Sequence, residues 1–572
     1  MKKRWKVSPA DRELQEVLGQ KLNILPLTAQ LLINRGLVDC DRAFSFLRPS
    51  LNDLHDPFLM KDMDRAVERT VSAIERGEKI AVYGDYDVDG TTATALLYLF
   101  FSEIGVEVRP YIPERVSEGY GLNDGAVRKL ASEGVRLIIT VDCGSSDRDA
   151  VALASTLGVD VVVSDHHELP QTPPAAHAVL NPRQKDCAFP FKGLAGVGVA
   201  FNFLMALRSR LRDAGRFRSK EPNLKQYLDI VCIGTVADMV PLTGENRVLV
   251  RHGIKELERT NRPGLAALKE VAGVRGRLDA GAIAFQLAPR INAAGRVGQA
   301  MSAFKLLVSK DPAESAHLAE ILNRENIARQ KLEGDILSEA LEMIGAAGES
   351  QDKGIVLYSE AWHPGVIGIV ASRLVDRFTK PAVMIAIDGE LGKGSARGIS
   401  SFDILGGLKA AEGLLVRFGG HKAAAGLTIE RKNIDRFKVE FLGYLNGSVT
   451  EEDLTPEILL DSVVSLEEVD KRLLDEIDSL APFGVSNREP VLCLSGAGIV
   501  ASEVVGKKHL KVKVRQNGCS RSGIGFGLGG LHPMNAEVYS LAFSPYMDEW
   551  EGGRNLKLKI RDVKEGCVNL LT

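Results

Sequence analysis

Residues 79–105 read KIAVYGDYDVDGTTATALLYLFFSEIG, and the change of pattern inside this stretch decides the fold. A short apolar run, IAVYG, ends in a polar turn with Asp85, Asp87 and Asp89 at alternate positions, and a longer apolar run opened by Thr91 and Thr92 follows. A brief apolar run bounded by turn residues reads as a buried strand, and the longer one as a helix. Outward from it the alternation continues through VRLIITV (135–141), DAVALASTLG (149–158) and VDVVVS (159–164). Strand and helix in turn predict βαβ units and a parallel sheet.

Three carboxylates at alternate positions repel one another unless a cation neutralises them. The D-x-D-x-D-G spacing also opens a calcium-binding EF-hand loop, but that loop needs a helix upstream and a Glu at its twelfth position, where this chain has Leu96. Three further signals share the geometry of the first. Asp142 follows VRLIITV, the triplet Asp165, His166 and His167 follows VDVVVS, and Asp238 ends the apolar run IVCIGTVA. Read as four strand ends, these groups converge on one edge of a parallel sheet, where ligands bind. Singly, an Asp at a strand end is more often a helix N-cap and a lone His a structural residue. Together Asp87, Asp89, Asp142, His166 and Asp238 form an oxygen and nitrogen donor set without sulfur, suited to Mn²⁺ or Mg²⁺.

Around this core the texture divides the chain of 572 residues, long enough for roughly four domains. A helical N-terminal segment covers 1–50, the first α/β domain 51–310, a connector helix 311–347, a second α/β domain 348–450 and a β-rich module 451–572. At 1.5 Å per residue the connector spans about 50 Å. The composition is ordinary globular usage, 45% apolar and 26% charged. Net charge is −3, so any polyanion partner is met by a local patch rather than by a basic body. Seven scattered cysteines without a CxxC pair fit reduced thiols and exclude a thiolate metal site. The charged start MKKRWKVSPADRELQ lacks an apolar stretch, and no run of 18 apolar residues follows, so a cytoplasmic protein without a membrane span is expected.

GDYDVDG, VDCG, SDHH and GTVADMVPL resemble motifs one to four of the DHH phosphoesterase superfamily. EAWHPGVIGIVASRL, GKGSARGISSFD and GGHKAAAG resemble its associated DHHA1 domain, and RINAAGRVG and APFGVSNREPV resemble segments of RecJ-type exonucleases. The resemblance implies a DHH domain at 51–310, a DHHA1 domain at 348–450 and an OB-like nucleic-acid-binding module at 451–572. It implies a single-strand-specific 5′→3′ DNA exonuclease that uses two divalent cations and serves repair and recombination. Asp87 would hold one cation, Asp89, His166 and Asp238 the other, and Asp142 both. His167 would face the scissile phosphate, with Asp165 orienting the histidines. Asp85 matches the leading Asp of the motif, and its part as a direct ligand stays open. Partners implied are single-stranded DNA with a 5′ end, a helicase to open duplexes and a single-strand-binding protein.

For the nucleic acid, Arg290 and Arg296 with Ser395 and Arg397 offer guanidinium forks and a hydroxyl suited to a terminal 5′ phosphate. Arg115 and Tyr120 are placed to meet the first nucleotides by charge and by stacking. In GGHKAAAG the glycines permit close backbone approach, His421 is the polar contact, and the small residues after it are expected to start a helix. In HLKVKVR period-two alternation puts His509, Lys511, Lys513 and Arg515 on one face, either a single-strand track or an edge strand protected by lysines. Two other functions compete: a DHH hydrolase of short oligonucleotides or cyclic dinucleotides, and an inert scaffold. The full-length layout counts against the first, and the intact acidic and histidine set against the second.

Overall fold

The structure is a computed structural model that describes residues 3–115, 117–217, 220–346, 351–548 and 555–568. Two compact units emerge: Val7–Asn323 with Leu459–Thr572, and Met1–Lys6 with Arg324–Ile458.

In the first unit, helices α1 (Arg12–Leu22), α2 (Pro26–Ile33), α3 (Cys40–Leu47) and α4 (Met63–Arg76) precede the sheet. Then come β1 (Lys79–Gly84), α5 (Val88–Glu103), β2 (Val108–Tyr111), α6 (Asp124–Ser132), β3 (Val135–Val141), α7 (Arg148–Thr156), β4 (Asp160–Ser164) and β5 (Ala178–Leu180). The strands lie in the order β2-β1-β3-β4-β5, all parallel. Alternate residues of the uninterrupted apolar runs enter different layers. Ile80, Val82, Leu137, Ile139 and Val162 pack with α4 and α5, while Ala81, Tyr83, Ile138, Val161 and Val163 pack with α6 and α7. Burial on both faces is why these strands carry no polar alternation.

Register places the chemistry. Gly84 pairs with Val141, and Val141 with Ser164, so Asp85, Asp142 and Asp165 each stand one residue beyond three aligned strand ends. The fourth expected strand is a helix. IVCIGTVA lies in α9 (Leu228–Ala237), which follows α8 (Gly196–Asp213), and Asp238 is its C-cap rather than a strand end. Every residue of α9 from Leu228 to Val236 is buried, and an all-round apolar run looks the same in sequence whether it forms a buried strand or a buried helix. Further on are α10 (Gly244–Glu258) and α11 (Ala288–Val297). The connector is the 35-residue helix α12 (Pro312–Ala346), against the expected 311–347, whose last residue lies outside the described ones.

The other unit holds a five-stranded sheet. Its strands β6 (Ile355–Ser359), β7 (Ala382–Asp388), β8 (Leu391–Arg397), β9 (Leu415–Gly420) and β10 (Ala424–Glu430) take the order β9-β10-β8-β7-β6, with α13 (Ile367–Phe378) between β6 and β7. GGHKAAAG does not open a helix: it is the β9–β10 hairpin, closed by His421 N–H donating to Ala424 O (2.8 Å). Leu427 and Ile429, buried at alternate positions, carry the strand pattern across the turn.

Beyond α14 (Lys471–Ser479), strands β11 (Leu492–Val505), β12 (His509–Gln516), β13 (Cys519–Gly525), β14 (Tyr539–Asp548) and β15 (Asn555–Glu565) form an OB-type barrel, closed by pairing of β11 with β14. HLKVKVR is β12, with Leu510, Val512 and Val514 buried and Lys511, Lys513 and Arg515 exposed. It lies between β11 and β13, so the edge-strand reading of its lysines does not hold. The N-terminal helices share this module's core: Leu18, Leu31 and Phe46 belong to one apolar cluster with Leu473, Leu492 and Phe543. Among the described residues, no helix is long and apolar enough to cross a membrane.

Candidate metal centre

Asp87 caps α5, its Oδ1 accepting from the N–H groups of Asp89 (2.9 Å) and Gly90 (3.1 Å). The N-cap role and a place in the acidic cluster therefore coexist in one residue. Asp89, in the first turn of α5, accepts from Gly196 N–H (2.6 Å) and Val197 N–H (2.9 Å) at the start of α8, where the helix dipole favours a carboxylate. Asp142 occupies a left-handed backbone conformation, φ 62°, unusual outside glycine and tolerated best by Asp and Asn. His166 Nε2 lies 3.1 Å from Asp142 Oδ1, 3.5 Å from Asp238 Oδ2 and 3.9 Å from Asp89 Oδ2.

Three overlapping sets of donor atoms result: Asp85, Asp87 and Asp142; Asp89, His166 and Asp238; and Asp142, His166 and His167. Asp142 belongs to two of them. Whether these residues fit a cation is tested by their partners. Asp85 Oδ1, Asp142 Oδ1, Asp238 Oδ2 and both ring nitrogens of His166 are buried without a hydrogen bond. Buried polar atoms normally find partners, so three orphaned carboxylate oxygens with the Nε2 of His166 suit a bound ion.

The electrostatics agree. Burial, then the neighbouring Asp87, pushes Asp85 up to about 8 and Asp89 to about 7. Burial and Asp89 push Asp238 up to about 9 and hold Asp142 well above the carboxylate range. Burial lowers His166 to about 4, which leaves a neutral imidazole, the ligand form. Asp165 behaves oppositely. Burial works against its charge, but His167 and a set of N–H donors hold it well below the ordinary value. Its Oδ1 accepts from His166 N–H (2.7 Å) and lies 2.8 Å from His167 Nδ1, and its Oδ2 accepts from Ser145 N–H (2.9 Å). His167 is raised in turn, the Asp165 bond outweighing burial.

The remaining predicted residues fall into separate places. Tyr120 Oη lies 3.1 Å from His167 Nδ1 and donates to Asp142 O (3.3 Å), so this residue touches the centre. The Arg115 guanidinium sits 5.2 Å from the centroid of the Tyr86 ring. Arg290 is committed to the fold, donating to Asn323 Oδ1 (3.0 Å), Gln286 O (2.6 Å) and Val271 O (3.3 Å). Arg296 lies on the same helix, α11, which meets the metal loop at Gly295, where a Cβ would come within 2.3 Å of Tyr86 O. In the other unit Arg397 donates to Ser395 Oγ (3.0 Å), and both face Gly368 in the first turn of α13. His421 is exposed on its hairpin.

Sequence reading missed Gly196, whose signal is backbone proximity alone. A Cβ there would lie 2.6 Å from Asp142 Oδ1 and 2.7 Å from its Cβ. Gly196→Ala is expected to displace Asp142 and weaken cation binding by about 10- to 100-fold, the usual effect of disturbing what holds a ligand. Mn²⁺ titration of the folded variant should show the loss, and unchanged binding would contradict it.

The fold and the centre define a DHH-type phosphoesterase. Profiles match for the DHH family N-terminal domain at residues 79–235, the DHHA1 domain at 351–447 and the RecJ OB domain at 460–562. The chain belongs to the RecJ family. It is 38% identical to the single-stranded-DNA-specific exonuclease RecJ of Bacillus subtilis over 98% of this chain and 71% of that one. Its identity to the Escherichia coli protein of the same name is 35%, over 96% and 98% of the two chains. RecJ of Thermus thermophilus in complex with Mn²⁺ superposes with a TM-score of 0.85 at 30% identity, covering 99% of this chain and 80% of that one. The Mg²⁺ complex gives 0.78 at 29%.

Proposed function

We propose that this chain is a single-strand-specific DNA exonuclease that works from the 5′ end and releases 5′-mononucleotides, with two divalent cations, Mn²⁺ or Mg²⁺, in the centre. The observation that carries this reading is Asp142, which groups with Asp85 and Asp87 on one side and whose Oδ1 stands 3.1 Å from Nε2 of His166, the residue that groups with Asp89 and Asp238 on the other, a position suited to a bridging ligand. Asp85 and Asp87 would complete one site, and Asp89, His166 and Asp238 the other. The cations, when bound, supply charge that acidifies a water and offsets the negative charge gathering on the phosphate. The rest falls to the protein. Asp165 fixes the His167 ring through Nδ1 and favours its protonated form, so Nε2–H can donate to a non-bridging phosphate oxygen. Tyr120 packs edge-on against the same imidazole, its Oη 3.1 Å from Nδ1.

Ser395 and Arg397, Arg296 and His421 are proposed contacts to the strand's phosphates, and the exposed Lys511, Lys513 and Arg515 of β12 to its backbone. Selection for a single strand implies that a helicase opens duplexes first. The test is a 3′-labelled, 5′-phosphorylated single strand beside its blunt duplex, with Mn²⁺, Mg²⁺ or EDTA. Mononucleotides released from the 5′ end of the single strand, and abolished by EDTA, are expected. Hydrolysis confined to fragments of a few nucleotides would replace this reading with the short-oligonucleotide hydrolase.

A further inference from the structure

Asn246, in the first turn of α10, touches neither the carboxylates nor the histidines of the centre. Yet its side-chain amide donates both protons to loops that carry them: to Gly193 O (2.5 Å) and to Pro241 O (3.0 Å). Gly193 stands just before the Gly196 and Val197 N–H groups that grip Asp89. Pro241 stands just after Asp238, in a turn bent by the left-handed Met239 (φ 59°). One amide therefore staples the backbone behind Asp89 to the backbone behind Asp238.

Two features argue against a merely space-filling role. The side chain is fully buried, and an apolar residue of the same size would take both N–H donors away from Gly193 O and Pro241 O. The amide orientation is fixed, because the reversed one would set an oxygen against two carbonyls. The turn that carries Asn246 is anchored on either side. Glu245 accepts from His55 N–H (2.7 Å), and Arg247 donates to Phe46 O (2.8 Å), Leu480 O (2.8 Å) and Ser479 O (2.9 Å). A staple with a rigid base can hold two loops at a set distance.

We propose that Asn246 is a positioning residue that sets the spacing of Asp89 and Asp238, and with it the affinity of the cation site these share with His166; this rests on the metal-dependent reading above. The test compares Mn²⁺ titration by calorimetry with thermal unfolding in EDTA for the wild type, Asn246→Leu and Arg69→Met. Asn246→Leu is expected to weaken binding of one ion by about 10- to 100-fold, the usual effect of losing a group that orients a ligand, beside a fall of unfolding temperature in EDTA from the two lost hydrogen bonds. Arg69→Met, which removes hydrogen bonds to Asp160, Glu78 and Arg136 near the strand starts, at the sheet edge opposite the ligands, should lower the unfolding temperature without changing affinity.

If Asn246→Leu does not fold, Asn246→Ser, which keeps one donor without added bulk, decides in its place and should weaken the same site. Wild-type affinity in a folded Asn246 variant, or an equal loss of affinity in Arg69→Met, would overturn the proposal. Failure of the wild type itself to bind Mn²⁺ would instead remove the metal-dependent reading on which it rests.

Discussion

Asp142→Asn is expected to abolish nucleotide release and at the same time to make the metal-free protein more stable. The activity side follows from the shared position of Asp142. In the proposed bridging role, losing one of its oxygens removes several kcal/mol of charge stabilisation, at least about a thousandfold in rate. The stability side follows from what surrounds it. Asp142 is buried, and Asp89, Asp87, Asp238 and Asp85 all oppose its charge. The folded protein therefore keeps Asp142 protonated at a cost that a neutral amide avoids. Asparagine also accepts the left-handed conformation that Asp142 adopts, so the substitution adds no backbone strain. Unfolding in EDTA should shift upward by about 2–4 °C for each kcal/mol relieved. With Mn²⁺ the order should reverse, the wild type gaining about 2.7 kcal/mol at a hundred times the dissociation constant. A variant less stable than the wild type in EDTA would refute the picture of a centre held together against its own charge.

Mn²⁺ binding should release protons at pH 7. Metal-free, Asp85 at about 8 and Asp238 at about 9 are mostly protonated there, and Asp89 at about 7 is half so. A cation takes carboxylates only in the ionised form, so binding expels those protons and affinity rises with pH between about 7 and 9. His166, lowered to about 4, is neutral already and contributes none. Stability of the metal-free protein moves the other way. Carboxylates raised in the folded state bind more protons there than when unfolded, so stability falls as pH rises from the unfolded value near 4 through the folded values. Calorimetry in two buffers of different ionisation enthalpy measures the release directly. Binding heats that do not depend on the buffer would contradict the assignment of these carboxylates as ligands.

Much of this centre was legible because it is built from strand ends. An apolar run that stops at Asp85, Asp142 or Asp165 announces both a strand and the residue beyond it, and parallel pairing lines such residues up. Asp238 was found for a partly mistaken reason, since its apolar run is a helix. The residue still reaches the centre because a buried helix and a buried strand both end at a boundary between core and cleft. Arg290 shows the converse, a guanidinium suited to phosphate in sequence but occupied by carbonyls in the fold. Gly196 and Asn246 left no trace in the sequence. What they meet is a side chain's bulk in one case and two backbone carbonyls in the other, and neither has a spacing or a residue type to betray it.

Leu18, Leu31 and Phe46 find their core only with Leu473, Leu492 and Phe543, near the other end of the chain. During synthesis at about 5–20 residues per second, the first helices therefore wait on the order of tens of seconds for the segment that buries them. Contacts of such sequence separation are slow to form, and apolar faces left open in the interval are sites for chaperones or for aggregation. A shortened chain without the terminal barrel would lose the shelter of its own beginning, so the module at one end acts as the folding partner of the helices at the other.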